Sequence, residues 1–144
     1  MDKTLKYKIE GKIGVLVALI MFLCFSALMA QDIQKINLAN EYFAQGELDK
    51  AQALYQELVK KPKNIPTVHN RYLQVLIQLA QYEEGQQYLK KLTRQYPDVA
   101  QYALDLGVLY RKQGDPIRAD EQITVTLQRI KASKFQLILS LIHI

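Results

Sequence analysis

Two histidines, His69 and His143, and one cysteine, Cys24, are the side chains here best suited to acid–base, nucleophilic or metal chemistry. None has company. Nothing three or four residues from His69 is an acid or a thiol that could orient its ring, so it reads as a partly buried structural histidine. His143 stands in an apolar tail, and Cys24 inside an apolar run; "MFL" before it lacks the small residue a lipoprotein signal needs. A single cysteine there leaves the rest of the chain without a disulfide or a thiolate metal site. No metal-ligand spacing occurs, and no glycine falls in a Walker or dinucleotide-type run. Catalysis and cofactors are therefore not expected. Tyr42, Tyr55, Tyr72, Tyr102 and Tyr110 could form a base-stacking platform, but they recur at helical packing positions and read as core.

The elements around these residues begin with an address. Lys3, Lys6, Lys8 and Lys12 precede the run "IGVLVALIMFLCFSALMA", Ile13 to Ala30, and polar "QDIQK" follows. Basic, apolar, then small is the order of a secretory signal. Eighteen apolar residues also suffice for an uncleaved membrane anchor, and Leu28 departs from the small-residue cleavage pattern. Either way the lysines stay cytoplasmic, so the chain beyond residue 30 is expected on the periplasmic or extracellular side. The formal charge of +5 shrinks with it. Beyond residue 30 there are 15 basic and 12 acidic residues, a balance that gives no case for nucleic acid.

The rest repeats itself. Leu38, Tyr72 and Leu106 align at a step of 34 residues, as do Tyr42, Leu76 and Tyr110; Gly46, Ala80 and Gly114; and Ala51, Gly85 and Ala119. Within a copy, apolar residues at helical spacing (Ile36, Leu38, Tyr42, Phe43) break at Gly46 and resume at Leu48, Ala51, Leu54, Tyr55 and Leu58: helix, tight turn, helix. Asp115-Pro116 reads as N-cap and first helical residue. Acids open the second helices (Glu47, Asp49; Glu83, Glu84; Asp115, Asp120, Glu121). Bases are expected to close them (Lys60, Lys61, Lys63; Lys90, Lys91, Arg94; Arg129, Lys131), complementing the helix dipole. Pro62 and Pro97 end the first two copies.

"LGVLYRKQGDPIRAD", from Leu106, and "LANEYFAQGELDKA", from Leu38, carry Leu, a small residue, Tyr, Gly and Ala in an order that resembles the tetratricopeptide repeat. The resemblance covers roughly residues 32 to 131 and points to an exported bacterial member. It implies an all-α fold, an α-solenoid of three helix-turn-helix repeats at about 32–65, 66–99 and 100–131. Small residues face each other across each pair, Ala39 with Ala51 and Gly107 with Ala119. In the middle copy Leu73 is expected opposite Gly85, exchanging volume across the contact. The signature positions are Ala39, Tyr42, Gly46, Ala51, Tyr55, Pro62, Gly85, Pro97, Gly107, Tyr110, Gly114 and Ala119.

The resemblance also implies a function, a non-catalytic scaffold that binds a protein or peptide on the concave face of successive first helices. Here that face would hold Ile36, Asn40 and Phe43; Asn70, Gln74 and Ile77; and Gln101, Leu104, Val108 and Arg111. The Lys/Asn clamp with which some members hold chaperone C-termini is not matched, since Asn40 and Arg71 fit it but Ile36, Gln101 and Asp105 do not. The alternative is the extracytoplasmic sensor or input region of a larger signalling or envelope protein. Residues 132–144 form an incomplete or artefactual tail. Its end, "LSLIHI", resembles the translation of a sequencing-library transposon adapter, so the natural chain is expected to continue past residue 138; a genuine apolar C-terminal helix is the other reading. An uncapped last helix invites self-association.

Overall fold

The computed structural model describes Met21 and residues 31–142, with side chains as far as residue 135. The signal or anchor segment, except for Met21, lies outside the described residues, as does His143. Every regular element among the described residues is helical. Helix α1 covers residues 31–45, α2 Leu48–Leu58, α3 Ile65–Gln78, α4 Tyr82–Gln95, α5 Ala100–Gln113 and α6 Pro116–Ile142, with a 3-10 turn at Pro62–Asn64. Two compact units divide them, one ending at His69 and one beginning at Asn70. No helix among the described residues is long and apolar enough to cross a membrane.

Each pair turns on the same device. Gly46, Ala80 and Gly114 have φ of +77°, +57° and +92°. At each, the amide of the left-handed residue donates to the carbonyl three residues back, and the next amide to the one five back: Gly46 to Phe43 and Glu47 to Tyr42, Ala80 to Ile77 and Gln81 to Leu76, Gly114 to Arg111 and Asp115 to Tyr110. This is the Schellman closure, which satisfies helix-end carbonyls and reverses the chain. Glycine enters it freely. Ala80 enters it against the Cβ–carbonyl clash of the left-handed region, at a cost of about 1–2 kcal/mol.

In the first unit α1 and α2 run antiparallel, since Lys35 pairs with Glu57 at 2.8 Å and Asn40 with Tyr55 at 2.8 Å. Ala39, Ala51 and Tyr55 between them are fully buried. Leu38 stays exposed although its equivalents Tyr72 and Leu106 are buried. No helix pair precedes it among the described residues.

In the second unit Leu73, Leu89, Leu106, Leu109, Tyr110 and Ala119 form one core, with Ile77, Tyr82 and Tyr88 packed on it. A Cβ added to Gly107 would stand 2.6 Å from Ile123 Cγ1 and 3.3 Å from the Ala119 carbonyl oxygen, so the expected close crossing of Gly107 and Ala119 is present. At Gly85 the tightest neighbour comes from the next copy. The atoms nearest to a Cβ on Gly85 are those of Leu109, at 2.9 Å, so its missing side chain admits the following helix, α5.

The helix ends correct the charge reading in part. Glu83, Glu84 and Arg94 occupy the first and last turns of α4 as expected. α2, however, stops at Leu58, before Lys60, Lys61, Lys63 and Pro62, and its last turn holds no base. The lysines are turn residues, and Pro62 opens the 3-10 turn, where its missing amide costs nothing. α6 runs unbroken past residue 131 to Ile142, so Arg129 and Lys131 are interior to it.

Candidate functional site

A repeated polar latch frames the signature tyrosines. Asp115 caps α6 by accepting from the Arg118 amide at 2.9 Å, and its other oxygen takes the Arg118 Nε at 2.5 Å. The guanidinium lies 5.0 Å from the centre of the Tyr110 ring. Sixty-eight residues earlier, two periods, Lys50 pairs with Glu47 and stands 5.2 Å from the Tyr42 ring centre. The N-cap acid holds the cation above its ordinary value in both copies, and the cation covers a ring face. The middle copy has Leu76 and Glu84 at these places. Glu84 serves another phenol, accepting from Tyr72 Oη at 2.6 Å.

The tyrosines of the second unit are packing groups. Tyr72 and Tyr88 meet edge to face with centroids 5.0 Å apart. Burial pushes the Tyr72 phenol well above its usual value, with Glu84 adding to it; burial does the same to Tyr88, ahead of Tyr102 and Asp105. These rings keep their protons at neutral pH. His69 is buried and interacts with a neighbouring group. Among the described residues no cluster of His, Cys, Asp or Glu could hold a metal ion.

None of the ten residues assigned to the concave face is buried. On α1, Ile36, Asn40 and Phe43 share a stripe and are half-buried. Tyr55 Oη donates to Asn40 Oδ1, fixing that amide. On α3, Asn70 and Gln74 are exposed, while Ile77 packs partly on the core. On α5, Gln101 and Val108 are exposed and Leu104 is half-buried. Both polar members on α5 are already engaged: Gln101 Nε2 donates to Asp105 Oδ1 at 2.8 Å, and Arg111 pairs with Asp120. What α5 offers is an apolar strip between hydrogen-bonded ends.

One cluster was not legible as such. Asp32, in the first turn of described α1 and 4% exposed, takes Lys61 at 2.6 Å and Lys63 at 2.9 Å. Hydrogen bonds from Lys61 and then Lys63 hold its carboxyl down at about 2, against the opposing effect of burial. Beside it lies a shallow cavity of about 370 Å³, bordered by Ile33, Ile36, Lys63 and Thr67. The partners are 29 and 31 residues away, too far for any local pattern to join them.

Helix pairs closed by three matching turns, with small residues at their crossings, define a helical-repeat protein. Residues 42–106, a little under half of the chain, match the family described as tetratricopeptide repeat, which supports a protein of that family. No curated protein matches the chain.

Proposed function

We propose that this chain is a non-catalytic scaffold that holds a protein or peptide partner on the outward stripes of its first helices, and that it works outside the cytoplasm. Tetratricopeptide repeats generally mediate protein–protein interaction. The observation that carries the reading is the contrast within α5: Tyr102, Ala103, Leu106 and Leu109 are buried while Val108, 44% exposed, and Gln101 face out. An apolar strip between Gln101 and Arg111 suits an extended segment, whose side chains fill the strip. The export part of the proposal rests on the four lysines ahead of Ile13–Ala30, which serves as signal or as membrane attachment.

Site-specific photo-crosslinking in cells tests the binding surface. A photoreactive residue at Val108 or Gln74 should join the chain to a distinct polypeptide, and one at Gln87 on the exposed face of α4 should not. Equal capture from all three positions would overturn the assignment. A protease-accessibility assay on intact and permeabilised cells tests export; protection only in the cytoplasmic fraction would refute it.

A further inference from the structure

Ala119 and Thr126 are buried along one side of α6, which packs on α5. With 3.6 residues per turn, the opposite side carries Ile117, Glu121, Thr124, Gln128, Lys131 and Phe135, all exposed, Ile117 at 81% and Phe135 at 60%. Val125 and Leu127 flank this face and are exposed as well. Earlier copies keep charge at the matching places: Asp49 and Glu83 correspond to Ile117, and Glu57 and Lys91 to Val125. α6 sets apolar residues where α2 and α4 set solvated ones.

The face is self-complementary on reversal. About the level of Thr126, Ile117 mirrors Phe135, Glu121 mirrors Lys131, Thr124 mirrors Gln128 and Val125 mirrors Leu127. Neither Glu121 nor Lys131 has an ion-pair partner among the described residues. We propose that this face is a self-association surface, on which α6 packs antiparallel against α6 of a second copy about a two-fold axis level with Thr126. Such an isologous contact demands a self-complementary patch. Each Ile117 then meets Phe135 of the partner subunit, and each Glu121 meets the partner's Lys131, over a contact about 27 Å long. Parallel packing would set Glu121 on Glu121 and Lys131 on Lys131, so the charges select the antiparallel arrangement. One helix pair gives an interface below about 1,200 Å², and the dimer is a reversible one.

Sedimentation velocity on the full chain over a concentration series tests this. The wild type should show a monomer–dimer equilibrium. Glu121→Lys and Lys131→Glu, both at exposed positions, should each weaken it tenfold or more while helicity by circular dichroism is unchanged. Mixing the two variants should restore association, because both ion pairs become attractive across the mixed dimer. A wild type that stays monomeric throughout the series, single variants that associate like it, or a mixture no tighter than either variant alone overturns the proposal.

Discussion

Tyr72 donates its phenolic proton to Glu84 at 2.6 Å, tying α3 to α4 in the copy that lacks the cation-over-tyrosine latch of the other two. Tyr72→Phe should therefore cost about 1.5–3 kcal/mol, the range for a hydrogen bond to a charged group. Burial and Glu84 raise the folded-state pKa of this phenol above its ordinary 10.0. Its contribution is then complete below pH 10 and is lost as pH rises beyond, where the unfolded chain ionises first. Melting temperature followed from pH 8 to 11 should fall less steeply above about pH 10 in Tyr72→Phe than in the wild type; parallel curves would show that another group governs the alkaline limb.

Ala80 holds a left-handed φ of +57° in the turn where Gly46 and Gly114 serve the other copies. Ala80→Gly should stabilise the chain by about 1 kcal/mol, the clash relieved outweighing the added freedom of the unfolded chain. Thermal unfolding should register this as a rise of about 2–4 °C for a chain of this size. A fall would show that the turn tolerates its alanine without strain.

The two helical glycines should respond differently to alanine. At Gly107 the new Cβ meets Ile123 Cγ1 at 2.6 Å and a backbone oxygen at 3.3 Å, neither free to swing away. Gly107→Ala should lose about 1–3 kcal/mol to overpacking. At Gly85 the obstacle is the end of the Leu109 side chain at 2.9 Å, which can change rotamer. The helix preference for alanine, about 1 kcal/mol, offsets that adjustment. Urea unfolding of both variants should rank Gly107→Ala clearly lower, and equal midpoints would contradict the packing.

Asp32 should supply an acid-sensitive part of the stability of the first unit. Lys61 and Lys63 lower its folded-state pKa from 3.8 to about 2, so its contribution is full above about pH 4 and vanishes as pH falls towards 2. Asp32→Asn should melt lower than the wild type at pH 7, and the gap should close between about pH 4 and pH 2. A gap constant with pH would assign the loss to packing.

The sequence by itself determined the local structure and its period. Gly46 and Gly114, the amphipathic spacing around them and Asp115-Pro116 each act through neighbours within five residues, so helix, Schellman turn and N-cap are legible without a fold. The buried tyrosines at repeated places follow from the same spacing. Tertiary structure decided what depends on residues far apart in the chain. Gly85 receives Leu109 of the following copy, a neighbour that a pairing within one copy does not supply. Lys61 and Lys63, read as helix-end charges, turn instead to Asp32, because α2 ends at Leu58 and leaves them in the turn. Arg111 and Gln101, which the resemblance assigns to the binding face, are exposed but committed to Asp120 and Asp105. A periodic pattern states which side of a helix a residue occupies; only the packed chain states which charge arrives beside it, since long polar side chains reach several ångströms and choose among partners that the sequence does not order.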